Sequence, residues 1–121
     1  MTIQDWIDAL LSDKYKQTQS RLRDSLGHCC LGVACDVKNP DIWEEASIKF
    51  PDRIAYQWGK GTEEENPPTH YLPKDLMAEL DIDDHFQQHL TYLNDNGSTF
   101  AEIAEVIKKY AEGKYEWPYS V

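Results

Sequence analysis

Three thiols and an imidazole fall within eight residues of this chain, at His28, Cys29, Cys30 and Cys35. A thiol at a helix N-terminus has its pKa lowered by the helix dipole, and an imidazole can serve as its base. Cys29 or Cys30, with His28, His70, His85 or His89 as base, therefore sketches a cysteine-dependent enzyme. No spacing ties such a nucleophile to its base independently of family, and free cysteine is among the most buried residue types. The default reading is reduced, structural thiols and no catalytic residue. Cys29 and Cys30 are adjacent and poorly placed to share a zinc ion, and His85 and His89, four apart on a helical face, lack the glutamate of H-E-x-x-H. Neither a metal nor a cofactor is expected.

A second set of residues points to anion binding. In an extended segment alternate side chains share a face, so Lys14 pairs with Lys16 and Arg21 with Arg23. Arginine supplies a planar fork for phosphate or carboxylate. Asn94 and Asp95, like Cys29, Cys30 and the two arginines, lie at turns or element ends, where side chains converge in a small domain. Together they would form a polar pocket with a cationic rim, an amide that both donates and accepts, and a carboxylate. The candidate ligand-binding set is thus Lys14, Lys16, Arg21, Arg23, Asn94 and Asp95. The alternative is internal pairing of the bases with the acidic part of the chain.

The charge distribution frames that choice. The 121 residues carry 12 basic and 22 acidic side chains, a formal charge of −10. Such a balance opposes general adhesion to nucleic acid or anionic membranes. Residues 1–38 are balanced, with five acids and five bases, so the whole excess lies beyond them. Runs such as Glu63-Glu64-Glu65, Asp81-Ile82-Asp83-Asp84 and Asp41 with Glu44-Glu45 could present an acidic imitation of nucleic acid, although such runs ordinarily serve solubility. Direct nucleic-acid binding is not expected: no recognition helix follows STFAEIAEVIKKY. No apolar run approaches the roughly 20 residues that span a bilayer, and MTIQDWIDALLSD lacks a basic secretory n-region, so a cytosolic protein without membrane association is expected.

The elements that must position these residues are legible in part. Ile3, Trp6, Ile7, Leu10 and Leu11 predict a helix over 2–13, with Thr2 and Asp5 as a capping box. Thr99 and Glu102 make a second box, opening a helix over 99–112 whose stripe is Phe100, Ile103, Ala104, Ile107 and Tyr110. LGVACDV reads as a short helix ended by Asn39-Pro40, with a buried strand as alternative. KDLMAEL after Pro73 and HFQQHLTYL add two more helices. Residues 15–30 and 48–58 supply a small antiparallel sheet, and 59–69, with its glycines, prolines and three adjacent acids, reads as a mobile acidic loop. The expected architecture is a single helix-rich α+β domain over 1–121, with helices 2–13 and 99–112 packed together. The aromatic tail, Tyr115, Trp117 and Tyr119, suggests a homodimer surface.

The order DWIDALLSDKYKQ, RLRD, HCCLGVACDV, YLPKDL and LTYLNDNGSTFAEIAEVI resembles a group of small proteins encoded by tailed bacteriophages and prophages. Its most distinctive elements are Cys29-Cys30-Leu31-Gly32-Val33 with Cys35-Asp36, and Leu93-Asn94-Asp95 with Phe100 and Ile103-Ala104. His28 stands where an aromatic is expected, and the acidic loop around Glu63 looks like an insertion. The resemblance implies a viral origin and expression in a bacterial host's cytoplasm, and brings no catalytic residue with it. The expected function is that of a phage accessory protein binding a host protein or a small anionic, nucleotide-like signal molecule. A cysteine enzyme and an acidic nucleic-acid mimic are the alternatives.

Overall fold

The central helix, α2 (Cys30–Lys38), is weakly amphipathic, and Cys30, Leu31, Gly32, Val33, Ala34 and Cys35 are all buried. A helix that is apolar all round must be covered on every side. The computed structural model, which describes residues 1–118, covers it with α1 (Ile3–Leu10), α4 (Asp84–Asp95) and the β segments. Thr2 and Asp5 form the capping box of α1, which buries Trp6, Ile7 and Leu10. The Trp6 indole N–H donates to the Cys30 carbonyl at 2.9 Å, tying α1 to the start of α2. Leu11, expected in the apolar stripe, instead caps the helix C-terminus and is exposed. Asn39 takes the extended conformation that a following proline demands, and α2 ends there.

Helix α5 (Phe100–Ala111) opens with the Thr99/Glu102 capping box, buries Phe100, Ile103, Ala104 and Ile107, and packs on α1 as expected. Between α2 and α4, Lys74–Leu80 forms α3, which buries Leu76 and Leu80. Gly113 then turns the chain at φ +72°, and the tail returns over α4. There Trp117 stacks on His85 with ring centroids 4.8 Å apart, and Tyr115 meets Phe86 and His89. The rings that suggested a dimer surface are therefore packed within the chain; Tyr119 lies outside the described residues. Among those residues no helix is long and apolar enough to cross a membrane.

The expected single sheet is two. Strands β1 (Arg23–Asp24) and β2 (Gly27–His28) form a tight antiparallel hairpin, whose turn is held by the Asp24 carboxylate accepting from the Leu26 and Gly27 N–H groups. Strands β3 (Trp43–Glu45) and β4 (Tyr56–Trp58) form the other, with Trp43 opposite Trp58 and Glu45 opposite Tyr56. Segments 15–30 and 48–58 do meet, but through one antiparallel bridge, Asp24 with Ala55, and the flanking bond from Ser25 N to Ile54 O at 2.8 Å. A second isolated bridge sets Gln17 beside His28. The backbone order across this strip is therefore 16–17, β2, β1, β4, β3. Strand β3 is only three residues long, too short for alternation to reveal it, and it takes the pairing expected for 15–30. The result is one small α+β domain.

Candidate functional site

The bridge at Asp24 and Ala55 decides which way the arginines face. Side chains alternate along a strand, so Asp24 and Ala55 turn inward together while Arg23 and Tyr56 turn to the opposite face. The Arg23 guanidinium carbon lies 4.4 Å from the Tyr56 ring centroid and 5.4 Å from that of Trp43. Two residues earlier, the Arg21 guanidinium carbon lies 4.3 Å from the Phe50 centroid. Both arginines thus stack on rings of the single hairpin that runs from β3 to β4. Arg21 and Leu22 lie in a bend and the strand begins only at Arg23, so it is the β3–β4 rings rather than an extended spacing that bring the two arginines to this hairpin.

Stacking occupies the flat face of a guanidinium and leaves its N–H donors, which radiate in the plane, for other partners. Among the described residues neither Arg21 nor Arg23 makes an ion pair within 4 Å. The Arg21 Nε is moreover buried without a hydrogen-bond partner. Internal neutralisation by the acidic part of the chain, the alternative raised by the sequence, is not what these two residues do. The nearby carboxylates are engaged elsewhere. Asp24 is 2% exposed and accepts from Thr18 Oγ1, from two backbone N–H groups and from Arg53 at 3.4 Å. Asp36 accepts from the Tyr15 hydroxyl at 2.7 Å and the Trp43 indole at 3.0 Å. Asp95 accepts from the Ser20 N–H at 2.9 Å and the Asn94 amide at 3.2 Å.

His28 stands beside this face, edge-on to both Tyr15 and Trp43, with centroids 5.1 and 5.8 Å away. Its Nε2 is buried without a hydrogen bond, 3.9 Å from an Asp36 oxygen. Burial, opposed by Asp36, holds its pKa below the ordinary imidazole value, and Arg23 pushes the same way. His70 is likewise held low, first by burial and then by Arg21, with Asp95 opposing.

The remaining candidates separate from this face. Lys14 and Lys16 are exposed and alternate as expected, with Tyr15 between them turned to Asp36. They lie at the other edge of the strip, beyond β2. The roughly 4.8 Å strand spacing puts the Lys16 backbone about two strands from that of Arg23, with β2 between the two pairs of bases. Asn94 is fully buried, and its capacity is used internally. Its Oδ1 accepts from the Cys30 N–H at 3.1 Å and from Gln17 Nε2 at 2.9 Å, and its Nδ2 donates to the Thr18 carbonyl at 2.8 Å and to Asp95. Asn94 is a brace between α4, the 17–18 segment and the start of α2; with both lone pairs and both N–H groups engaged, it cannot also bind a ligand. Asp95 does converge on the same loop, through Ser20.

Cys29 caps α2, its sulfur accepting from the Gly32 N–H at 3.4 Å, yet its thiol is pushed up to about 12 rather than down. Desolvation disfavours the thiolate and here outweighs the helix terminus. Burial raises Cys30 and Cys35 in the same direction. With all three sulfurs buried and His28 directed at Asp36, the arrangement offers no activated thiolate. His85 and His89 share a helical face as expected; His89 is buried against Tyr115, while His85 stacks on Trp117 and stays exposed, and among the described residues no cluster of His, Cys, Asp or Glu could hold a metal ion.

Sequence reasoning missed the rings that hold the arginines. Trp43, Phe50 and Tyr56 were visible as aromatics without a helical period; their role depends on the fold of the β3–β4 hairpin. No curated protein and no solved structure matches the chain. Residues 2–111 match the model of a family described as a domain of unknown function, DUF8296, and because that match takes in every element from α1 to α5, the chain belongs to that family.

Proposed function

We propose that the protein works by binding rather than turnover, and that the Arg21/Arg23 face captures a small anionic, nucleotide-like molecule. Its resemblance to tailed-phage and prophage proteins supports the further reading that it is an accessory protein acting in the cytoplasm of a bacterial host. The observation that carries the binding reading is the state of the two guanidinium groups: set over the rings of Phe50, Tyr56 and Trp43, and without a carboxylate partner within 4 Å among the described residues. Both arginines are half-buried and keep part of their surface in solvent, where guanidinium N–H groups make strong charge-assisted hydrogen bonds to an anion. A protein of charge −10 gains selectivity by the same means, since its overall field repels polyanions while two local forks accept a compact one. Isothermal titration of the purified protein with nucleoside monophosphates and short nucleotides tests this. Binding should disappear in an Arg21→Glu/Arg23→Glu double variant and persist when Glu63, Glu64 and Glu65 are changed to glutamine. Unchanged affinity in the arginine variant would refute the assignment.

A further inference from the structure

Arg23 and His28 are direct partners across the β1–β2 hairpin. Opposed residues of an antiparallel pair carry their side chains on one face, with β-carbons about 4.5–5.5 Å apart. The two side chains also share a neighbour. The Arg23 guanidinium carbon lies 5.4 Å from the Trp43 ring centroid, and the His28 ring centroid lies 5.8 Å from the same ring. Charge brought to Arg23 is therefore felt at the imidazole.

Every element packed against His28 brings a group to bear on it. From the segment before β1 comes Tyr15, edge-on, whose hydroxyl is pushed up by burial and then by its bond to Asp36, and so stays neutral. Lys16 meets His28 through its backbone carbonyl, which accepts from the His28 N–H at 2.8 Å. Strand β1 supplies Arg23, which opposes a charged imidazole, and Asp24, which favours one. Helix α2 supplies Asp36, with an oxygen 3.9 Å from Nε2, and β3 supplies Trp43, which does not titrate. Desolvation outweighs the two carboxylates, so the ring is uncharged near neutral pH.

We infer that capture of an anion by Arg23 is coupled to uptake of a proton by His28, so that the face binds more tightly in mildly acid solution than at neutral pH. This concerns the regulation of the site proposed above and rests on that reading. An anion on Arg23 cancels the cationic neighbour that opposes the imidazolium and puts negative charge in its place. The protonated ring faces Asp36 on one side and adds positive charge beside the anion on the other. By linkage, proton and anion must favour each other by the same factor. His70 stands in a like relation to Arg21. The Leu22 N–H donates to the Thr69 carbonyl at 2.7 Å and keeps residue 70 near the arginine, which opposes its charged form while Asp95 favours it.

NMR titration of the four histidines, in sodium sulfate and in sodium chloride of equal ionic strength, tests the coupling on the parent protein. Sulfate keeps both charges throughout, and the His28 resonance is assigned by its loss in His28→Gln. Sulfate should raise the midpoint of the His28 titration by about one pH unit relative to chloride, the size of effect a neighbouring charge produces. The midpoint of His85, exposed on α4, should not move. Calorimetry with sulfate should show affinity about two- to tenfold higher near pH 5.5 than near pH 7.5, and His85→Gln should keep that ratio while His28→Gln reduces it. In Arg23→Gln the response of His28 to sulfate should vanish. If sulfate or a nucleoside 5′-monophosphate binds through the arginines while His28 does not respond, the coupling is refuted and the binding reading stands. An equal rise at His85 or in Arg23→Gln is general screening and also refutes it. Absence of binding by both anions at both pH values overturns both.

Discussion

Gly32 sits in the first turn of α2, where glycine is still a poorer helix residue than alanine, and replacing it with alanine separates local from tertiary effects. Helix propensity alone predicts that Gly32→Ala stabilises the protein by up to about 1 kcal/mol. The fold predicts the reverse. A β-carbon at residue 32 would lie 2.7 Å from the carbonyl carbon of Leu22 and closer still to its oxygen. Carbon atoms pack at about 3.5–4.0 Å, so α2 and the Leu22 backbone must separate by about 1 Å. That backbone cannot move freely, because the Leu22 carbonyl accepts from the Cys29 N–H at 3.0 Å and Leu22 itself is fully buried. Overpacking of this kind costs about 1–3 kcal/mol, and a buried N–H that loses its acceptor costs about 1–3 kcal/mol more. Against the propensity gain, the net loss should be about 2–4 kcal/mol, a large share of the roughly 5–15 kcal/mol that such domains possess. Urea unfolding followed by tryptophan fluorescence reads it as a midpoint lowered by about 1–2 M with an unchanged slope. Ala101→Gly on the exposed side of α5 calibrates the propensity contribution. A Gly32→Ala protein as stable as the parent, or more so, would refute the close approach of α2 to Leu22.

The brace at Asn94 makes a second prediction. Asn94→Ala strands the Cys30 N–H and the Thr18 carbonyl in the interior and should cost about 2–4 kcal/mol in the same urea assay; a loss below about 1 kcal/mol contradicts the brace. Thr99→Ala removes one half of the α5 capping box, and a fall of about 1 kcal/mol in unfolding free energy is expected. The buried thiols should resist iodoacetamide in the native protein and all react in urea, as read by intact mass; rapid native labelling of Cys29 or Cys30 would restore the enzyme reading. His28, His70 and His89 are all held below the ordinary imidazole value, chiefly by burial. The unfolded chain therefore takes up protons first as pH falls below about 6.5, so stability is full above that value and is lost from there down through the folded pKa values. Unfolding free energies between about pH 7 and pH 5 should decline, and less steeply in His28→Gln; a flat or rising profile contradicts the assignment.

Capping chemistry and helical stripes are local, and they were legible. Thr2 with Asp5 and Thr99 with Glu102 form the expected boxes, and the stripes of α1 and α5 meet as predicted. The strands were harder to read. Each is two or three residues long, so alternation carries little signal, and Trp43–Glu45 takes its partner from a segment more than ten residues on. At the candidate site, spacing predicts a common face for Arg21 and Arg23 along an extended segment, but the chain bends at 21–22 and the two arginines meet the β3–β4 hairpin through its rings. Their separation from Lys14 and Lys16 is not legible either, because it depends on β2 lying between the two pairs. Asn94 illustrates the same limit: its place at the end of α4 suggested a converging polar group, but only the packed chain shows its donors and acceptors fully engaged.

From the sequence alone came the charge balance, the helix caps and the apolar stripes, all consequences of composition or of separations of a few residues. Tertiary structure decided the rest. It turned a cysteine cluster that looked reactive into the covered centre of the core, because burial of a thiolate outweighs a helix terminus. It also supplied Phe50, Tyr56 and Trp43 as platforms for the guanidinium groups, since only the pairing of β3 with β4, bridged to β1 through Ala55 and Asp24, brings those rings beneath them.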